Sequence, residues 1–275
     1  MERLETMSQV EPGTWALILG ASSGFGAATA LELARCGYNI FGVHLDRKNT
    51  IEAAESVQRD IQALDREAEF FNINAADPEK RDFVMLKMTA RCGQGQWGSK
   101  VRVLFHSLAF GSMGTIVTEA DDLRLITAKQ MDMTLDVMGN SLVYWTHGLV
   151  QRKLMGRGGR IFAMTSAGNT TVWRGYAAIS AAKCVLESHI RNIAVELAQL
   201  GITANAIEAG VTDTPALRHI PGHEAMLQEV LKRNPMGRPT TPEDIAKAVS
   251  VLAREETHWM TGNTLRVDGG EHIAG

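Results

Sequence analysis

The stretch Trp15-Ala16-Leu17-Ile18-Leu19-Gly20-Ala21-Ser22-Ser23-Gly24-Phe25-Gly26 decides the fold. Five consecutive apolar residues, too short a run for a helix, read as a strand buried on both faces. Glycines at 20, 24 and 26 let the chain turn sharply and let a pyrophosphate approach the backbone. The helical pattern that follows, residues 27–36, supplies free N–H groups and a positive dipole end at its start. A glycine-rich turn alone is weak; strand, turn and helix in this order form a dinucleotide site.

Outward from that unit the alternation continues. Apolar runs at 15–19, 39–44, 69–73, 101–106, 160–165, 203–207 and 265–267 are expected strands. Helical patterns fill the intervals, at 27–36, 50–64, 78–91, 129–154, 176–200 and 242–253. Such alternation implies an α/β, doubly wound parallel sheet of about seven strands with helices on both faces. Right-handed crossovers put the ligand at the carboxyl ends of the strands. No repeat, linker or low-complexity tract interrupts the chain, so residues 1–275 are expected to form one dinucleotide-binding and catalytic domain. The least regular part, residues 212–241, contains Pro215, Pro221, Gly222, Pro235, Gly237 and Pro239. It is expected to act as a lid, with a short helix inside 224–232.

Composition removes other classes. A net charge of -3 offers nothing to nucleic acid or to an anionic membrane. Cys36, Cys92 and Cys184 are too scattered for a disulfide framework or a redox pair, which suits a reducing cytoplasm. Residues 1–13 carry Glu2, Glu5 and Glu11 and lack the apolar core of a signal peptide. No run approaches the length of a membrane span. His219 and His223 have metal-ligand spacing, but Pro221-Gly222 breaks any helix between them, and no metal is expected.

The turn spacing, G-x-x-x-G-x-G, resembles the short-chain dehydrogenase/reductase family, and the resemblance runs from residue 14 to 270. Its other landmarks appear in order: Ser166 after the fifth strand, Tyr176 and Lys183 in the next helix, Asn205-Ala206-Ile207-Glu208-Ala209-Gly210-Val211-Thr212-Asp213-Thr214, and Val267-Asp268-Gly269-Gly270. The resemblance implies a Rossmann-type fold and assigns dinucleotide contacts to Gly20, Ser22, Ser23, Gly24, Phe25 and Gly26. It further assigns Asn74 to the adenine, Ser107, Leu108 and Ala109 to the fourth-strand loop, and Ala209, Gly210, Val211 and Thr214 to the nicotinamide end. The ribose-binding acid expected after the second strand is replaced by His44, and Arg47 and Lys48 follow. That pattern favours NADP(H), whose 2′-phosphate they can pair, over NAD(H), which Asp46 would suit.

Tyr176 and Lys183 are seven apart, about two helical turns, so both can face one side. Ketone-reducing members have four. Here the residue four before Lys183 is Ile179, and Met138 stands where their relay Asn belongs, with Asn140 facing elsewhere. Tyr-x6-Lys, the segment His106-Ser107-Leu108-Ala109-Phe110-Gly111 and Glu208-Ala209-Gly210 resemble the bacterial enoyl-acyl-carrier-protein reductases, with residues 205–235 closest to the NADPH-dependent type. The longer spacing has a reason: hydride lands on the β-carbon, and charge develops on a thioester oxygen several bonds away.

The resemblance gives Tyr176 the developing oxyanion, Lys183 the ribose, and Ser166 a substrate oxygen. His106 is expected to be a buried, hydrogen-bonded histidine lining the cofactor pocket. Ser166 also suits an alternative, a carbonyl or alcohol oxidoreductase of the same family, and a non-catalytic NADP-binding regulator is the third reading. The resemblance implies an acyl thioester substrate, carried by an acyl carrier protein or by coenzyme A, and a homotetramer built on helices 129–154 and 176–200. Trp173 and Arg174, just before Tyr176, are expected to rim the pocket, where an exposed Arg suits an acidic carrier protein.

Overall fold

A computed structural model describes residues 10–93, 100–117, 124–220 and 222–274. Residues 1–9 of the acidic N-terminal stretch and Pro221 lie outside these. Strands β1 (Trp15–Leu19), β2 (Asn39–His44), β3 (Ala68–Asn72), β4 (Val101–His106), β5 (Arg160–Met164), β6 (Thr203–Ala209) and β7 (Thr264–Val267) form one parallel sheet ordered β3-β2-β1-β4-β5-β6-β7. This is the doubly wound Rossmann arrangement, with the order reversing between β1 and β4.

Strand β1 shows why the apolar run has no polar face. Leu17 and Leu19 point into one core layer with Phe41, Leu104, Trp145 and Leu186, while Ala16 and Ile18 point into the other with Leu33, Ile61 and Val249. Helices α1 (Gly24–Arg35), α2 (Ile51–Gln62) and α9 (Pro242–Leu252) cover the second face. Helices α3 (Pro78–Cys92), α5 (Ser141–Gln151) and α6 (Ala177–Glu196) cover the first. Caps mark the starts. Asp77 accepts from the Lys80 N–H ahead of Pro78, and Thr241 forms a reciprocal capping box with Asp244 ahead of Pro242.

Two boundaries differ from expectation in ways that matter. The helix expected over 129–154 is α4 (Ala128–Leu135), a π turn (Asp136–Asn140) and α5. The wide turn rotates α5 relative to α4, a device frequent at functional sites. It also brings Gly139 against α6, where a Cβ would sit 3.1 Å from the Ala182 carbonyl oxygen. The second difference is at β3, which ends at Asn72, so Asn74 is not at the strand's end. Its Oδ1 accepts from the Ala76 N–H in the turn before α3.

The irregular segment 212–241 contains two helices, α7 (Pro215–Arg218) and α8 (His223–Arg233), the latter spanning the short helix expected there. The tail fastens it: buried Glu271 accepts from Arg233 of α8 and from the Val211 N–H after β6. Asn234 donates to the Asp268 carbonyl. His219 and His223 each turn Nδ1 to a backbone carbonyl, of Pro215 and Ile220, on either side of the helix break. Among the described residues no three His, Cys, Asp or Glu gather as a metal set, and no helix is long and apolar enough to cross a membrane.

Candidate active site

The carboxyl ends of β1, β4, β5 and β6 lie side by side, because their register pairs Leu19 with His106, His106 with Ala163 and Met164 with Ile207. That alignment gathers Gly20, Ser107, Ser166 and Gly210 along one edge. Gly20 has φ +91, and a Cβ there would meet the Ser107 carbonyl oxygen at 2.4 Å. A Cβ on Gly26 would meet the Gly20 carbonyl oxygen at 1.9 Å. Neither position tolerates a side chain without backbone movement. Gly20 and Ala21 donate to the Val43 carbonyl, which folds the turn onto β2. Ser23 precedes α1 without a side-chain cap, leaving the first-turn N–H groups available to an anion. Thr214 leans its methyl towards Gly24 and caps α7 through the Leu217 N–H. A Gly-floored cradle at an uncapped helix start therefore fits a dinucleotide pyrophosphate.

The adenosine end holds a group that linear counting set aside. Asp46 lies two residues beyond the position of the family's acid. Asn72 nevertheless clasps its backbone at both ends: Oδ1 accepts from the Asp46 N–H and Nδ2 donates to the Asp46 carbonyl. The carboxylate reaches His44 Nδ1 at 2.9 Å and also meets Ser22 and Thr50. Burial pushes this carboxyl up, but hydrogen bonds from Thr50, Ser22 and His44 win, holding it below the ordinary value. His44 is itself buried, while Arg47 and Lys48 are exposed beside the same loop.

At the other end, Tyr176 is the residue preceding α6 rather than part of it, with φ -97 and ψ 6. Ser166 lies beside the Tyr176 ring over Gly168, and its Oγ accepts from the Gly168 N–H. The ring rests on Gly168, where a Cβ would come within 2.5 Å of Cε1. Burial pushes the phenol's pKa up and Ser166 pulls against it, so the hydroxyl keeps its proton at neutral pH and donates.

Lys183 is buried, donates to the Met164 carbonyl at 2.8 Å, and is pushed down to about 8 by burial, with Glu187 opposing. His106 is fully buried, with Nε2 2.8 Å from Ser141 Oγ. Ser141 donates to the Val137 carbonyl, so His106 Nε2 is the donor in that pair. Burial and then Lys183 push this imidazole to about 3, so it is a neutral, structural histidine.

Between these groups the structure is apolar. Met138 and Ile179 pack together with Ala182, against Met113, Leu135 and Tyr176. Asn140 faces away, its Oδ1 3.1 Å from His189 Nε2. The positions four residues before Lys183 and at the relay Asn therefore form a hydrophobic plug. Ser166 and Tyr176 lie side by side over Gly168, and Lys183, on α6, reaches the Met164 carbonyl at the end of β5, two residues before Ser166. Ser107 and Leu108 are partly buried beside Gly20, and Ala109 is exposed. Ala209 and Gly210 close the edge, whereas the Val211 N–H is engaged by Glu271. Glu187, which no motif marked, also belongs to this site: it accepts from Thr165 and Asn169, on both sides of Ser166.

Comparison with known proteins places the chain in a family. The family model described as enoyl-(acyl carrier protein) reductase matches residues 20–272. The 1-cyclohexenylcarbonyl-CoA reductase of Streptomyces collinus is 29% identical over 94% of this chain and 86% of its own. The 3-oxoacyl-acyl-carrier-protein reductase of Aggregatibacter actinomycetemcomitans is 30% identical over 92% of this chain and 97% of its own. A short chain dehydrogenase from Burkholderia cenocepacia, solved in complex with NADP, superposes with a TM-score of 0.80 at 26% identity, covering 95% of this chain and 98% of that one.

Proposed function

Because the chain belongs to the short-chain dehydrogenase/reductase family of oxidoreductases and resembles its enoyl-acyl-carrier-protein reductases, we propose that it reduces the carbon-carbon double bond of trans-2-enoyl thioesters, as in fatty-acid synthesis. The observation that carries this reading is the plug of Met138 and Ile179, which leaves Tyr176, displaced to the helix start, as the acid beside Ser166. A bound reduced nicotinamide supplies the hydride for the β-carbon, and negative charge then grows on the thioester oxygen. Tyr176 donates a hydrogen bond to that oxygen, Ser166 orients the phenol, and a proton taken up at the α-carbon, ultimately from solvent, completes the reduction. Lys183 holds the ribose hydroxyls and keeps positive potential beneath the phenol. The relative named for a cyclohexenylcarbonyl thioester supports this substrate class. In the same reading residues 212–241 close over the acyl chain, an acyl carrier protein delivers it past Trp173 and Arg174, and the chain assembles as a homotetramer.

The second reading is carbonyl reduction, favoured by Ser166 and by the relative named as a 3-oxoacyl reductase. Oxidation of NADPH and of NADH, followed with crotonyl and with acetoacetyl thioester, separates the two. Turnover with the crotonyl thioester alone is expected. Turnover with acetoacetyl alone replaces the first reading by the second. Dinucleotide binding without turnover of either leaves the non-catalytic regulator.

For the dinucleotide we favour NADP(H), with the exposed Arg47 and Lys48 pairing the 2′-phosphate. NAD(H) is the competing reading, carried by the Asp46 carboxylate beside Ser22. Removing Arg47 and Lys48 together (R47A/K48A) is expected to raise the KM for NADPH by about 10- to 100-fold and to leave NADH unaffected. If NADPH binding is unmoved and Asp46→Ala instead weakens NADH, the chain uses NAD(H).

A further inference from the structure

Thr165 and Asn169 bracket the turn that carries Ser166. Thr165 follows directly on β5, and Asn169 ends the 3-10 turn Ala167–Asn169. Both donate to the same oxygen of Glu187: Thr165 Oγ1 at 2.6 Å, and Asn169 through Nδ2. Glu187 projects from α6 one helical turn beyond Lys183, so the two side chains share a face. The same short turn carries Gly168, the floor beneath the Tyr176 ring. A single carboxylate thus touches both ends of the loop on which Ser166 and Tyr176 depend.

We propose that Glu187 is a positioning residue of the active site: one of its oxygens ties both ends of the turn that presents Ser166 to Tyr176, while its charge faces Lys183. The assignment rests on the enoyl-reductase reading for its kinetic arm only. Three consequences follow from the chemistry of the carboxylate. As an acceptor it fixes the turn, a role an amide oxygen can take over. As an anion it opposes the burial that drives Lys183 towards neutrality, a role an amide cannot fill. Lys183 interacts with few other groups. On α6 its charged neighbour is Glu187, and Tyr176 before the helix stays neutral. From β4 the neutral His106 faces it, and β5 presents the Met164 carbonyl. Removing the carboxylate charge therefore leaves burial unopposed.

The two roles separate by substitution. Glu187→Gln retains the oxygen and loses the charge; Glu187→Ala loses both. With the full chain and crotonyl thioester, Glu187→Ala is expected to lower kcat about tenfold or more with a smaller change in the dinucleotide KM. Glu187→Gln recovers most of that loss at pH 6.5. The alkaline limb of its pH profile moves to lower pH, by about half a unit or more, because Lys183 now loses its proton earlier. Amide hydrogen exchange across residues 165–169, read without substrate, should quicken about tenfold in Glu187→Ala and stay at the wild-type rate in Glu187→Gln. Unchanged exchange in Glu187→Ala overturns the holding role, and superimposable pH profiles for Glu187→Gln and wild type overturn the electrostatic one. Circular-dichroism melting checks that both variants fold. A wild type inactive on every enoyl thioester defeats the proposed reaction, and the exchange arm still decides the role of Glu187 in the turn.

Discussion

Tyr176→Phe is expected to lower kcat for crotonyl thioester by about 10²- to 10⁴-fold while leaving the dissociation constant for the dinucleotide within twofold. The ring's resting place on Gly168 is retained, because Phe has the same outline. Only the hydroxyl goes, and with it the donor that the proposed reaction needs at the developing oxyanion. Burial raises the phenol's pKa, so at neutral pH the group acts as a donor and not as a base. The variant should therefore lose kcat and kcat/KM together, the signature of an interaction made in the transition state. Stopped-flow hydride transfer and fluorescence titration of the reduced dinucleotide measure the two quantities. A drop smaller than about fivefold would mean that some other group meets the thioester oxygen.

Lys183→Met should cost about 10²- to 10³-fold in kcat and also raise the dinucleotide KM, because in the proposed mechanism one ammonium serves both the ribose and the potential near Tyr176. The wild type carries its own version of this experiment. Burial pushes Lys183 down to about 8, so the group is charged below that pH and neutral above it. Wild-type kcat is expected to fall as pH rises through about 8, and Lys183→Met should lack that limb. Stability moves the other way. The folded pKa lies below the unfolded value near 10.5, so the unfolded chain binds more protons between the two, and stability rises with pH across that window. The shift corresponds to about 3.5 kcal/mol at most. Lys183→Met removes a buried charge and should melt no lower than wild type at pH 7, which distinguishes lost chemistry from lost structure. A variant that melts well below wild type would point to a structural lysine.

How much of this was legible in the chain depends on the range of the interaction that fixes each feature. Trp15–Leu19 and the glycines after it are read correctly because burial on both sheet faces and a sharp turn are local demands. The helix over 129–154 is not, because one π turn at Asp136–Asn140 changes the phase of the pattern without Pro or any other break. Gly139 is the trace it leaves, and its purpose, close approach to α6, shows only in three dimensions. Asp46 illustrates the same limit. Counting along the chain puts it two residues late, yet Asn72, 26 residues away, pulls its backbone into place beside Ser22. Of the proposed site, Tyr176, Ser166 and Lys183 were marked by spacing; Tyr176 and Ser166 lie together over Gly168, and Lys183 reaches the end of β5 at Met164. Glu187 was unmarked, since nothing in a helical Lys-x-x-x-Glu pair distinguishes a site carboxylate from a solvated one.

The contact between Met138 and Ile179 also bears on how this chain can change over generations. Asn introduced at 138 alone would set an amide among Ile179, Ala182 and Met113, at a cost of about 1–3 kcal/mol if unpaired. Tyr introduced at 179 alone would overfill the same cluster, at a similar cost of about 1–3 kcal/mol. Neither step by itself assembles the relay seen in ketone-reducing relatives, so each is a loss without a return. A lineage drifting towards that chemistry must cross a stability valley before selection has any new activity to act on, and the order of mutations is constrained by packing rather than by catalysis.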